Sequence, residues 1–128
     1  MPSDYDGDER YDIVVYRPSD SSFEGIFSGS RLPFHIQLGI SGDIPVPKDY
    51  DGDGRADFAT YRQRNGVWTI KMSRDNSISE ITLGGPSFLP IPADYDGDGK
   101  ADLCVCDFND KNIKIILSGY AKVLSSEI

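Results

Sequence analysis

The chain has 128 residues, enough for one domain, with an apolar content of 38% and a formal net charge of −8. This negative charge argues against nucleic acid as a partner. No apolar run approaches the length of a transmembrane helix, so we expect no membrane span. The two cysteines, Cys104 and Cys106, are two residues apart in a predicted strand. We interpret both as small buried side chains, which leaves the redox compartment undecided.

An acidic stretch of nine residues occurs three times, and we number its positions 1 to 9. The copies are loop one (residues 4–12), loop two (49–57) and loop three (94–102). Each copy has carboxylates at positions 1, 3, 5 and 9 and Gly at position 4. Position 6 is Gly in loops two and three but Glu9 in loop one. Glycine suits both positions because tight bends require positive φ.

These loops are predicted to bind calcium. Carboxylates this close together repel one another unless a cation neutralises them, and Ca²⁺ takes six to eight oxygen ligands. The backbone carbonyl of position 7 is the usual main-chain ligand of such a loop. The alternative is an acidic, solvated turn without metal. We predict three Ca²⁺ sites, with position 7 contributing its carbonyl, whose ligands are Asp4, Asp6, Asp8, Arg10 and Asp12; Asp49, Asp51, Asp53, Arg55 and Asp57; and Asp94, Asp96, Asp98, Lys100 and Asp102.

The loops differ from an EF-hand. An EF-hand requires a bidentate Glu at position 12, where this chain has Val15, Thr60 and Val105. Pro45 and Pro47 before loop two suit a strand with one unpaired edge and would damage a helix. Each loop is therefore predicted to connect two strands.

The net charge is concentrated in the loops. Twelve of the 21 acidic residues stand at the ligand positions, which leaves nine acids against 13 Lys and Arg. Three bound Ca²⁺ would change the net charge from −8 to −2. The acidity therefore belongs to the predicted sites.

The acidic loops mark an internal repeat. Asp4, Asp49 and Asp94 are 45 residues apart, and the register holds between the loops without insertion. A period near 45 is typical of a four-stranded propeller blade. We predict a single repeat array over residues 1–128, with units of approximately 1–40, 41–85 and 86–128.

A complete unit is predicted to form four strands. In the middle unit these are strand A (residues 44–50), strand B (57–62), strand C (67–72) and strand D (79–83), with Asn65-Gly66 in the turn between B and C. Unit one lacks most of strand A. The predicted fold is all-β, with three four-stranded β-propeller blades and a calcium-binding loop between strands A and B of each.

Alternation in strand C predicts which side chains are buried. Trp68 and Ile70 share one face, which we expect to lie in the core. At the position of Lys71 on the opposite face, units one and three have Ile26 and Ile116. We interpret these two either as isolated surface side chains or as part of a contact surface.

Loop two and the strand after it, Phe58-Ala59-Thr60-Tyr61-Arg62, resemble the FG-GAP and VCBS repeats, and so does the connector of residues 42–49. The shared motif is Asp-x-Asp-x-Asp-Gly-x-x-Asp, from which loop one departs at Glu9. The resemblance implies an integrin-α-type β-propeller, in which a calcium loop joins the two inner strands of each blade. It also implies a role in extracellular recognition, and rings with more blades than this chain supplies.

The leading hypothesis is a non-enzymatic, calcium-binding extracellular scaffold or adhesion module with a protein or glycan ligand. No charged-then-apolar leader stands at the start, so secretion would depend on a signal outside this sequence. One alternative is a carbohydrate-binding, lectin-like propeller, because Trp68 and the tyrosines could stack on sugars. Their alignment in the repeat favours a place in the core instead.

A second alternative is an accessory domain of a secreted polysaccharide-active enzyme. Catalysis requires an activated nucleophile or an acid–base pair. The clustered carboxylates are explained by metal, and the only histidine, His35, is expected at the surface. We therefore predict no catalytic residue.

The chain is expected to self-associate head to tail. Propellers close with about four to eight blades, so three blades leave apolar faces uncovered. A heterologous contact makes a ring if the rotation closes and a filament if it does not. Two chains would complete a six-bladed ring. A filament is one alternative, and a segment of a larger propeller is the other.

Overall fold

A computed structural model describes residues 2–117, with their side chains, and the backbone of residues 123–127. Within this part the protein is all-β, as predicted, and forms three antiparallel sheets. No helix in the described residues is long and apolar enough to cross a membrane. The strands are β1 (Ile13–Arg17), β2 (Ser22–Ile26) and β3 (Pro33–Gln37) in sheet one; β4 (Ile44–Pro45), β5 (Phe58–Arg62), β6 (Val67–Lys71) and β7 (Ile78–Thr82) in sheet two; and β8 (Leu89–Pro90), β9 (Leu103–Asp107), β10 (Asn112–Ile116) and β11 (Val123–Glu127) in sheet three.

The period of 45 residues is present in the strands as well as in the loops. β1, β5 and β9 begin at residues 13, 58 and 103, and the strands after them keep the same spacing. Strands B and C of the middle unit, as predicted, correspond to β5 and β6. The predicted turn at Asn65-Gly66 is also present, with the Gly66 amide donating to the Arg62 carbonyl at 2.8 Å. Strand D begins one residue earlier than predicted, at Ile78.

Strand A is much shorter than the predicted range of residues 44–50. β4 covers only Ile44 and Pro45, and pairing resumes at an isolated bridge between Lys48 and Asp57. The physical reason is that Pro45 and Pro47 have no backbone N–H to donate to the ladder. Val46 lies between them and still donates to the Ala59 carbonyl at 2.9 Å.

Each sheet has two faces, because successive side chains of a strand point to opposite sides. We call the side toward the next sheet in the chain the forward face; in sheet two it contains Ala59, Tyr61, Trp68 and Ile70. The opposite side is the rear face, which contains Phe58 and Thr60. Phe58 packs on sheet one, with its ring 4.7 Å from that of Tyr5 and 5.1 Å from that of Phe23.

The two cores therefore lie between consecutive sheets. One core joins Phe23 and its neighbours in unit one to Ala56 and Phe58. The other joins the forward face of sheet two to Leu103 and Val105 on the rear face of sheet three. The forward face of one sheet meets the rear face of the next, and this contact occurs twice.

The predicted core residues are confirmed. Trp68 is fully buried, and its Nε1 donates to the Leu83 carbonyl at 3.0 Å. Cys104 and Cys106 are buried and not joined in a disulfide. The side chains on the opposite face of strand C differ between units: Ile26 is exposed, whereas Ile116 packs against the core between sheets two and three.

Candidate metal centres

Loop two owes its shape to hydrogen bonds between carboxylates and the loop's own amides. Asp49 accepts at both oxygens, from Gly52 N at 2.8 Å and Gly54 N at 2.9 Å. Asp51 accepts from Asp53 N at 3.2 Å. Positive φ at Gly52 and Gly54 turns their amides back toward Asp49. The carboxylates are thus gathered around one point by the backbone itself.

The same hydrogen bonds recur in the other two loops. Asp94 accepts from Gly97 N at 2.8 Å and from Gly99 N at 2.9 Å. Asp4 accepts from Gly7 N at 2.7 Å and from Glu9 N at 2.9 Å. Glu9 has φ 67°, so loop one adopts the same left-handed bend without the glycine that favours it.

Closely spaced carboxylates are present in all three loops. Each group offers one oxygen per residue, and these oxygens lie within 4.8 Å of one another. In loops one and two the group consists of positions 1, 3 and 5; in loop three it consists of positions 1, 3 and 9. The groups are Asp4, Asp6 and Asp8; Asp49, Asp51 and Asp53; and Asp94, Asp96 and Asp102.

Position 9 has a second role that the sequence analysis missed. Asp57 is fully buried and accepts from Tyr50 N and from Ser73 N, both at 2.8 Å. Asp12 accepts from Tyr5 N and Ser28 N at the same distance. In loops one and two, position 9 therefore ties the start of the loop to the end of strand C. The signal in the sequence is the serine found 16 residues after it in every unit.

The donor set of loop two fits a hard cation. Asp51 Oδ2 is buried without a hydrogen-bond partner, and the Asp51 side chain is only 6% exposed. The nearest cation, Arg74 Nε, lies 3.8 Å away. Burial, followed by contact with Asp53 and the charge of Asp57, raises the pKa of Asp51 to about 6. A buried oxygen without a partner, in a group of acids, is the environment that Ca²⁺ would relieve.

Residues 49–105 match the family model of the FG-GAP-like repeat. This part of the chain is similar to an FG-GAP-like repeat. It begins at the first ligand position of loop two and extends through loop three into β9. Comparisons with curated proteins and with solved structures gave no match.

Position 7 of loops two and three carries a side chain that contacts the preceding loop. A Cβ added to Gly52 would lie 2.9 Å from Lys100 Cγ, and one added to Gly7 would lie 2.9 Å from Arg55 Cγ. The amide of position 7 donates to the carboxylate of position 5 in every loop, at 2.9 Å. Ligation by the carbonyls of Arg10, Arg55 and Lys100 stays a prediction.

Consecutive loops are also joined through their backbones. Ala101 N, at position 8 of loop three, donates to the carbonyl of Asp49 at 2.8 Å. Ala56 N makes the same bond to loop one. Asp49 is the predicted ligand at position 1 of loop two. Its backbone is therefore held by a hydrogen bond from loop three.

The other side chains considered in the sequence lie away from the loops. His35 is exposed on β3, with Nε2 3.5 Å from Glu24 Oε1. Trp68 is buried and cannot stack on a sugar, whereas Tyr11 is exposed. Tyr11 lines an open cleft of about 600 Å³ beside Pro45 and Lys48.

Proposed function

We propose that the chain is a non-enzymatic, calcium-binding extracellular scaffold, built from three propeller blades. The observation that carries this proposal is Asp51 Oδ2, a buried carboxylate oxygen without a hydrogen-bond partner inside a group of acids. Similar groups recur in loops one and three. The residues that would hold Ca²⁺ are positions 1, 3, 5 and 9 of each loop and the carbonyl of position 7.

The blade assignment rests on the repeat of both strands and contacts. Each sheet consists of consecutive antiparallel strands, and sheets two and three have four. Consecutive sheets pack face to face, and the units are 45 residues long, as in a propeller blade. The FG-GAP-like repeat at residues 49–105 supports the same assignment.

Calcium in these loops serves stability. The metal would neutralise the acids of the loop between strands A and B, which repel one another. This loop is short in every unit. Extracellular calcium modules work with dissociation constants of about 10⁻⁴–10⁻³ M. The proposed location is extracellular because residues 49–105 match an FG-GAP-like repeat, a resemblance that implies extracellular recognition, and an affinity in that range would suit it. The ligands are used for structure, which is why we propose no catalytic role.

Head-to-tail self-association is part of the proposed function. The scaffold would bind a protein or glycan on loops carried by a rigid assembly. A ring of two chains or an open filament both follow from one heterologous contact.

A carbohydrate-binding role is the second candidate, and one observation favours it. The cleft beside Tyr11 places an exposed aromatic ring near polar side chains, and tyrosine offers a ligand both an apolar ring face and a polar hydroxyl. Glycan-array binding that is lost in Tyr11→Ala would support this candidate. No binding to any glycan would remove it.

Titration calorimetry tests the calcium function directly. We expect saturable binding of Ca²⁺ by the wild-type chain and loss of one site in Asp51→Asn. Glu80→Gln is the matched control, because Glu80 is an exposed acid on β7 outside every loop. Absence of calcium binding in the wild-type chain, or equal binding by Asp51→Asn and wild type, would contradict the proposal.

A further inference from the structure

The rear face of sheet one exposes apolar side chains at positions that are buried in the other two units, beside the ion pair of Arg17 and Glu24. Ile13 and Val15 are 68% and 60% exposed. The residues 45 positions later, Phe58 and Thr60, are buried against sheet one. The residues 90 positions later, Leu103 and Val105, are buried against sheet two. We call the surface formed by Ile13, Val15 and Ile26 the head face.

The forward face of sheet three is the complementary surface, and it is open in part. Cys104 and Cys106 on this face are buried, whereas Leu89 and Tyr95 are 43% and 48% exposed. Their equivalents in the middle unit differ: Ile44 packs against the core, and Tyr50 is buried. Ile113, equivalent to the fully buried Trp68, is only half-buried. We call the surface formed by Leu89, Tyr95 and Ile113 the tail face.

We propose that the head face binds the tail face of a second copy of this chain. This inference rests on the proposed head-to-tail assembly and names the surfaces that make it. A second copy is the proposed partner because a forward face meets a rear face at both internal junctions. The tail face is a forward face and the head face is a rear face, so the two can meet in the same way. The new junction would repeat a contact that this sequence already makes twice.

The acidic loops complete the match between the two copies. At each internal junction the amide of position 8 donates to the carbonyl of position 1 in the preceding loop. Tyr11 holds position 8 of loop one, and Asp94 holds position 1 of loop three. Arg10 would lie over Gly97 as Arg55 lies over Gly7. Space is open there, because no described atom lies within 4 Å of the point where a Gly97 Cβ would be.

Charge favours the same pairing. Loop three is acidic. The side chain of position 7 lies over the preceding loop at both internal junctions, and position 7 is Arg or Lys in every unit. Arg10 would therefore bring a positive charge to the carboxylates of loop three in the second copy. The internal pair of Lys100 and loop two shows that this arrangement is compatible with the fold.

Three variants of the full chain test the two faces, each compared in calcium by light scattering. Val15→Lys blocks the head face and places its charge opposite Glu24 on β2, which spares sheet one. Leu89→Lys blocks the tail face. Leu32→Lys is the matched control, because Leu32 is 61% exposed in the turn between β2 and β3, outside both faces.

We expect the wild-type chain and Leu32→Lys to reach a mass of at least twice 14.1 kDa as concentration rises. Val15→Lys and Leu89→Lys should each remain monomeric, with association weakened at least tenfold. An equimolar mixture of these two should form a pair, since one supplies an intact tail face and the other an intact head face. That result is specific to a heterologous contact.

Three outcomes would overturn the inference: a wild-type chain that stays monomeric at high concentration, blocked variants that associate as the control does, or a mixture that forms no pair. Melting curves of the same samples with and without calcium show that each variant is folded. They also separate the two proposals. A calcium-dependent Tm in a monomeric chain rejects the faces and supports the calcium function, and a Tm that ignores calcium rejects that function.

Discussion

The backbone amide of Ala56 donates a hydrogen bond to the backbone carbonyl of Asp4 at 2.7 Å, so the second acidic loop is fastened to the first ligand position of the loop before it. The side chain of Arg55, next to Ala56, lies over Gly7 in that same loop. A change in the conformation of one loop should therefore alter the conformation of the neighbouring loop.

We expect calcium binding at loops one and two to be coupled. Asp53→Asn, which removes a ligand in loop two, should weaken binding at loop one about fivefold or more, the lower end of usual coupling between sites. NMR titration of the Gly7 amide measures loop one separately. Coupling between two binding sites acts in both directions, so Asp8→Asn, which removes a ligand in loop one, should also weaken calcium binding at loop two. Unchanged affinity at the partner loop in both variants would show that the sites are independent.

Removal of calcium is expected to lower Tm markedly. A ligand that binds only the native state stabilises it by about 2.7 kcal/mol per site at a hundred times its Kd. Calorimetric melting in EDTA against millimolar Ca²⁺ measures the difference. Mg²⁺ is the control, because it demands a stricter octahedral geometry and retains its waters. Identical melting curves in EDTA and calcium would contradict this expectation.

Loop one is expected to be the weakest site, and Glu9 is the reason. Its φ of 67° is a left-handed conformation that costs a non-glycine residue about 1 kcal/mol. Glu9→Gly should stabilise the protein by about that amount and tighten calcium binding at loop one. Gly54→Ala is the reverse experiment in loop two, where φ is 86°. Three equal affinities in the wild-type chain would argue against this ranking.

The metal-free protein should become more stable as pH falls from 7 to 5. Burial raises the pKa of Asp51 to about 6, above its ordinary value of 3.8, and also raises the pKa of Asp6 and Asp96. A carboxyl whose pKa is raised in the folded state contributes its full stabilisation at pH values below its unfolded pKa. This contribution is lost as the pH rises through the folded pKa. Carboxyls with lowered pKa values, such as Asp75 and Asp107, act only below this window.

With calcium bound, the trend should reverse, because protons compete with the metal for the same oxygens. Melting curves at pH 5 and pH 7, with and without calcium, measure both slopes. Asp51→Asn should raise Tm in EDTA at pH 7 and lower it in calcium. A variant that changes Tm in the same direction under both conditions would count against Asp51 as a ligand.

Equivalent residues at a closed and an open junction should differ in their effect on stability. Phe58→Ala removes a ring that stacks on Tyr5 and contacts Phe23, and should cost about 3–5 kcal/mol. Ile13→Ala, at the same position of unit one, should change stability by no more than about 0.5 kcal/mol, because Ile13 is exposed. Urea unfolding at concentrations where the chain is monomeric gives both values. Similar costs would mean that the head face is covered within one chain.

Much of the secondary structure could be predicted from the sequence because its signals are local. The alternation around Trp68 needs only nearby residues, and the buried face that it predicts is confirmed. β4 is shorter than predicted because the interpretation of Pro45 and Pro47 as part of a strand with one unpaired edge did not account for their missing amides. Propensity alone does not say which residues of such a segment keep their hydrogen bonds.

The contacts between sheets could not be predicted in the same way. Nothing in one unit states which of its faces meets the next unit, so the Ala56–Asp4 bond had no signal in the sequence. Asp43 is buried and forms an ion pair with the half-buried Arg62 at 3.2 Å, but unit three has Phe88 and Asp107 at the equivalent positions. The two hydrogen bonds of Asp57, to the loop and to Ser73, could not be predicted without knowing that strand C ends beside the loop.

The 45-residue register has a consequence for how such a chain can change in length. Both internal junctions use the same two faces and the same backbone hydrogen bond between loops. At each, a cationic side chain lies over the glycine of position 4. Unequal recombination within the gene that copies residues 41–85 would insert a unit whose two sides already fit their new neighbours. Arg55 of the copy would meet Gly52 of the original, where Lys100 lies now. Growth by whole units therefore preserves every kind of contact that joins consecutive units.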